Sequence, residues 1–165
     1  MEIRVVDFDV LTKNYTNYQN GISNMEEIRK SFVKRMDPIK EEMEGIVKSV
    51  NSGLIIDRAT QEEKNAKFNE LQEKAMAIDN EFKMTMRLEQ DNLNKKTYDE
   101  LEAIISEWVE GKGVDMVMGK MEVVFANANV DITDSIIEVL KTKELYKEFK
   151  DETVEKKNIV VEDLR

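Results

Sequence analysis

Residues 116–140, MVMGKMEVVFANANVDITDSIIEVL, break with the charged, helix-favouring sequence that precedes them. Two short apolar runs, Val114–Met118 and Met121–Ala126, alternate on either side of Gly119–Lys120, as the strands of a hairpin do. The loop Asn127–Asn129 then leads to Val130 and Asp131, an N-cap with Thr133 and Asp134 in the first turn. Ile132, Ile136, Ile137, Val139 and Leu140 give this helix a buried side, and Tyr146 and Phe149 are placed to extend it.

At the other end of the chain, Ile3, Val5 and Val6 read as a short strand ending at Asp7. Phe8, Val10, Leu11, Tyr15 and Tyr18 follow a rough helical spacing that stops near Asn20–Gly21. Ser23-Asn-Met-Glu26 has the form of a capping box, so the next helix begins at about Met25. Its apolar positions are Met25, Ile28, Phe32, Met36, Ile39, Met43, Ile46 and Val50, with steps of 3, 4, 4, 3, 4, 3 and 4. That is a coiled-coil seam with one irregular step, and Pro38 just after it predicts a kink rather than a stop. Asn51-Ser-Gly53 interrupts the pattern. Thr60-Gln-Glu-Glu63 is a second capping box, and a second seam runs through Phe68, Leu71, Ala75, Ile78, Phe82 and Met86. It continues past Leu93, Leu101, Ile104 and Ile105 to Trp108, ahead of Gly111 and Gly113. At 1.5 Å per residue, a helix from Thr60 to Glu110 is about 75 Å long, which no globular core of this size can cover. The two helices must pair with each other as an antiparallel hairpin turning at residues 51–59.

One strand at the start and two at the finish therefore bracket a long helical excursion. Three strands and a short helix bury too little to stand alone, and oligomerisation is the usual remedy. The expected fold is α+β: a small sheet-based body assembled from several copies, with helical-hairpin arms projecting from it. The body takes residues 1–22 and 111–150, the arm 23–110, and a charged extension 151–165, in which Ile159-Val-Val161 has strand character.

Composition sets further limits. The 165 residues carry a net charge of −10, with 36% charged and 41% hydrophobic residues, no cysteine and no histidine. Disulfides, thiolate metal sites and histidine-based nucleophile systems are thereby excluded within the chain. No GxxxxGK loop is present to cradle a nucleotide, and no apolar run approaches the ~20 residues of a membrane span. The negative charge argues against nucleic acid and anionic membranes as main partners. It is uneven: residues 51–110 hold fourteen acids against eight bases, whereas residues 21–50 balance six against six. A solvated helix face accounts for that bias. A strand beginning two residues after Met1 leaves no room for a signal peptide, so either a leader has been removed or the protein crosses no Sec-type channel.

The passages that carry a family likeness are Gly113-Val-Asp-Met-Val-Met118, Val124-Phe-Ala126 with Val130-Asp-Ile-Thr-Asp134, and Val5-Val-Asp7-Phe8 with Tyr15 or Tyr18 beyond. They resemble the Skp or OmpH-like family of periplasmic chaperones over residues 3 to about 145, with the arms contributing only length and heptad pattern. The resemblance implies a jellyfish-shaped homotrimer whose pooled strands form the body and whose three hairpins surround a cavity. It implies an ATP-independent holdase that keeps unfolded outer-membrane proteins soluble, with no cofactor, metal or catalytic residue. Two readings compete: a structural or scaffolding strut of the same trimeric shape, and a coiled-coil adaptor binding one folded partner through its tips. The location is the periplasm if a leader has been removed, and otherwise cytoplasmic or viral. The chain departs from the family's often basic arms, and its charge argues against lipopolysaccharide as a partner.

Within this frame the oligomer body should draw on Val5, Val6, Phe8, Val117, Val123, Val124, Phe125, Ile132 and Ile136. Client contact falls to Leu54, Ile55 and Ile56 at the arm tip, with Met84, off the seam, and Met86. The alternative for the tip residues is folding back on Phe68 or Ala66. Met25, Met36 and Met43 are explained by the seam itself. Asp131 and Asp134 are explained by helix N-terminal electrostatics rather than by a cation.

Overall fold

A computed structural model of the chain describes residues 1–54 and 57–150. The elements are β1 (Ile3–Val6), α1 (Phe8–Asn14), α2 (Thr16–Asn51), α3 (Arg58–Val109), β2 (Met116–Gly119) and α4 (Thr133–Thr142), with 3-10 turns at Lys120–Glu122 and Ala128–Val130. Ile55, Ile56 and the charged extension lie outside the described residues. The chain divides into two compact units, one of residues up to Asn20 and from Asn94 on, the other Gly21–Leu93.

In the first unit β1 pairs with β2 in parallel, from Ile3 opposite Met116 to Val6 opposite Gly119. The anticipated hairpin of Val114–Met118 with Met121–Ala126 is therefore corrected. The first run reaches across to β1 instead, the chain turns into a 3-10 helix at Lys120, and residues 123–127 form no strand. On its other side β1 meets the chain at Asp131, where the Ile132 amide donates to the Val5 carbonyl at 2.8 Å. Asp7 ends β1 and caps α1, its Oδ1 accepting from the Val10 amide. The core collects Val6, Leu11, Tyr15, Leu101, Ile104, Ile105, Ile132, Ile136 and Leu140, with Trp108 and Val117 packed against it. The C-terminal turns of α3 thus belong to this unit. That is why the boundary falls at Leu93–Asn94 and not at 110.

Tyr15 explains a second difference. A single helix over Phe8–Tyr18 is not formed, because Tyr15 is extended (φ −81°, ψ 118°) and forms an antiparallel bridge with Tyr146. The Thr16 amide donates to the Leu145 carbonyl at 2.9 Å, and α2 starts there. The Tyr15 hydroxyl donates to Glu100 Oε2 at 2.6 Å. Burial, then this carboxylate, pushes the Tyr15 phenol up to about 12. The bridge also stops α4 from extending over Tyr146 and Phe149: α4 closes at Thr142, Glu144 takes φ +58°, and the Leu145 amide returns to the Leu140 carbonyl.

In the second unit α2 and α3 pair antiparallel. Phe32 meets Phe82 with ring centroids 5.3 Å apart, and the Arg35 guanidinium donates twice to the Glu81 carboxylate, at 3.0 and 2.8 Å. Every apolar seam position of α2 from Met25 to Val50 is buried or half-buried, as is each from Phe68 to Met86 in α3. The helix runs through Pro38 without stopping. Neither capping box acts as one. Ser23 lies inside α2, and α3 is capped by Asp57, which accepts from the Thr60 amide and hydroxyl. Nor does Asn20–Gly21 end a helix. A Cβ on Gly21 would lie 2.3 Å from Leu93 Cδ1, so this glycine lets the two helices approach closely.

Gly21→Val should destabilise the hairpin by about 1–3 kcal/mol through overpacking. Gly21→Val with Leu93→Ala should lose less than the sum of the two single changes, as urea unfolding followed by circular dichroism would register.

Candidate functional site

The first unit carries an open groove and a run of exposed apolar residues. β2 pairs with β1 on one side, and no further strand flanks it among the described residues. Beside it runs a groove of about 840 Å³ whose walls include Val6, Phe8, Ile105, Val109, Val117 and Met118. Phe8 is stacked on Tyr98 at 5.2 Å there, and Asp9, Glu102, Asp115 and Glu122 stand along the groove. The chain then leaves β2 and exposes Met121 (85%), Phe125 (77%) and Val124 to water. Met121 lies in the 3-10 turn, Val124 and Phe125 follow it outside any regular element, and no strand stands beside them among the described residues.

A polar knot holds this segment to the core. Lys120 Nζ pairs with Asp131 Oδ2 at 2.8 Å, while Asp131 Oδ1 accepts from the Thr133 amide at 3.0 Å and the Thr133 hydroxyl at 2.5 Å. Thr133 Oγ1 in turn accepts from the Asp7 amide at 2.9 Å, tying the end of β1 to the start of α4. Burial works to raise the Asp131 carboxyl, but Lys120 and both donors of Thr133 outweigh it and hold the carboxyl below its ordinary value. The same carboxylate raises the Lys120 ammonium. Asp131 thus acts as an Asx turn ahead of α4 rather than as its N-cap, which is Ile132. Among the described residues no group of three or more acids is placed to hold a metal ion, and no helix is long and apolar enough to cross a membrane.

The residues nominated for the body separate into two sets. Val5, Val6, Ile132 and Ile136 are buried in the interior of the first unit. Phe8, Val117 and Val123 are half-buried, while Val124 and Phe125 are exposed. Met116 and Met121, which the pattern did not single out, share that exposure. Of the client candidates, Leu54 and Met84 stand exposed, whereas Met86 is half-buried in the seam. Five exposed apolar residues of the second unit were not nominated for contact: Ile22, Val33, Val47, Met76 and Leu88. Their signal was available, since each is an apolar residue displaced from the seam.

A family model for outer membrane proteins of the OmpH-like type matches residues 2–140. Among solved structures, a candidate outer membrane chaperone, OmpH-like, from Caulobacter crescentus CB15 is similar at a TM-score of 0.66 and 16% identity, over 90% of this chain and 88% of that one. At that identity the likeness concerns the fold. No curated protein matches the sequence.

Replacing Asp131 by Ala should destabilise the first unit by about 1–2 kcal/mol at neutral pH. The Asp131 carboxyl is depressed in the folded state, so its contribution is present above the unfolded value of 3.8 and lost as pH falls through the folded one. The gap between wild type and Asp131→Ala should therefore shrink below about pH 4 in thermal unfolding measured across pH.

Proposed function

Because the chain belongs to the OmpH-like family, a chaperone family, we propose that it is an ATP-independent holdase that cages unfolded outer-membrane-type proteins. In this reading three copies join through the first unit, and their helical hairpins surround the client. Confinement and many weak contacts hold the client, and no covalent step or nucleotide is involved. The periplasm is where such clients are found.

The observation that supports assembly is the apolar segment Met121–Phe125, exposed beside the open edge of β2. Among the described residues nothing covers this surface, and contiguous apolar patches mark association sites while free strand edges invite pairing. The occupant proposed is a second copy of this chain. Val123, Val124 and Phe125 are strand-favouring residues with no partner strand among the described residues, so a neighbour's β2 edge and groove can supply one. Client contact is proposed at the exposed Leu54 and Met84, methionine suiting varied partners. The strut reading draws on the ion pairs spaced i,i+4 along α3, from Arg58–Glu62 through Lys74–Glu70 and Lys83–Asp79 to Lys95–Asp99, which stiffen a long helix.

Two measurements separate these readings. Light scattering at micromolar concentration should give the mass of a trimer, and Val124→Ser with Phe125→Ser should lower that mass while leaving helix content unchanged. Without nucleotide, the trimer should suppress aggregation of a urea-unfolded β-barrel protein at about one trimer per client. A trimer that leaves aggregation unchanged at large excess is a strut.

A further inference from the structure

The two flanks of the α2–α3 hairpin differ in kind. Arg35 precedes the seam residue Met36, Glu81 precedes Phe82, and the two are joined across the helices at 2.8 Å. Positions one residue before a seam position therefore share one flank, and positions one residue after it share the other, since antiparallel helices turn oppositely about their common seam. The first flank holds Ser31, Arg35, Glu42, Lys74, Ala77 and Glu81 among others, with no Val, Leu, Ile, Met or aromatic residue from Asn24 to Asn92.

The second flank carries Ile22 after Gly21, Val33 after Phe32, Val47 after Ile46 and Met76 after Ala75. The three on α2 lie within about 40° of one another around the helix at 100° per residue. All four are exposed: 41% for Ile22, 49% for Val33, 44% for Val47 and 60% for Met76. By the register of Phe32 with Phe82, Met76 falls between Val33 and Val47 along the hairpin. Met84 and Leu88 stand on the back of α3, two positions beyond Phe82 and Met86, apart from this row.

We infer that this flank is a further client-binding face of the hairpin, beside the contacts proposed at Leu54 and Met84, and that its occupant is an extended, unfolded polypeptide segment rather than a helix or a second hairpin. The inference rests on the holdase reading and gives it a side. Spacing decides the occupant. Ile22, Val33 and Val47 lie about 16 and 21 Å apart. A packed helix must meet an apolar residue at every third or fourth position, about every 5 Å, so this row cannot build a helix–helix interface. An extended chain covers those gaps with about five or six residues. It needs one apolar side chain per interval, and any sequence rich in apolar residues satisfies that. Between the islands, Glu26 and Arg29, Asp37 and Lys40, and Asp79 and Lys83 balance one another, so the flank attracts neither sign of charge. Each contact is weak, and their number supplies the affinity.

The test uses the full-length protein and a urea-unfolded β-barrel protein as probe. One variant combines Ile22→Gln, Val33→Gln, Val47→Gln and Met76→Gln. Its control combines Ser31→Gln, Glu42→Gln, Ala77→Gln and Thr85→Gln on the other flank. With helix content and mass unchanged, the first should bind the probe about tenfold more weakly or worse, and the control within about twofold of wild type. Equal losses in both, or no loss in the first, overturn the assignment while the holdase reading stands. Failure of the wild type to bind the probe removes both. Because four changes at once can perturb folding, p-benzoylphenylalanine placed singly at Val33 or Val47, and at Ser31 or Glu42, gives a second measure. Crosslinks to the probe from the first pair alone support the assignment. Crosslinks from the first pair to a second copy of the chain, or equal yields from both pairs, overturn it.

Discussion

The parallel pairing of β1 with β2 is the constraint on which the rest of this chain depends. Antiparallel neighbours can be joined by two residues, but parallel neighbours need a crossover long enough to return the chain to the same end of the sheet. Here the crossover is the whole helical hairpin. The arm is thus the connection that the sheet topology requires, lengthened far beyond need. The same pairing commits β1 on both sides, to β2 and to the chain at Asp131, while no strand pairs with the other edge of β2 among the described residues. Unsatisfied surface consequently gathers on β2 and on the segment after it, where Met121, Val124 and Phe125 stand.

The two units solve the burial problem differently. The first builds a core in three dimensions, in which Val6, Leu11, Leu101, Ile136 and Leu140 are each closed off from water. The second has only a line of contacts between two helices. Most of its seam residues are half-buried, and Met25, Phe32 and Leu71 alone are fully so. A single seam leaves two flanks and two backs exposed. Apolar residues placed there cost little in stability and are free to serve contact with other molecules.

Much of this was legible from residue spacing, and the misses share a cause. The seams were readable because a 3–4 rhythm repeated over many turns has few other interpretations. The strands at Ile3–Val6 and Met116–Gly119 were recognisable as strands, but alternation does not state which partner a strand takes or in which direction. Val117 therefore read as half of a local hairpin when its partner lay at Arg4. Ser23 and Thr60 carried sound local capping signals that lost to contacts made elsewhere. Tyr15 is held extended by Tyr146, which starts α2 early, and Asp57 sits one step ahead of its helix. Gly21 looked like punctuation because glycine usually is, and only the position of Leu93 shows that it is spacing. The exposed row of Ile22, Val33, Val47 and Met76 was visible in the letters, yet it has meaning only once Arg35 and Glu81 show which positions share a flank.

The sheet topology also fixes an order of events. When β1 leaves the ribosome, its partner is more than a hundred residues from being made, and closing so long a loop as free coil is slow. The hairpin can fold meanwhile from its own neighbouring turns. As it zips from the tip toward Gly21 and Leu93, it draws the two ends of the loop together and shortens the distance β1 must search. Gly21 and Leu93, the last pair of that zipper, therefore govern how quickly the sheet can form as well as how closely the helices pack.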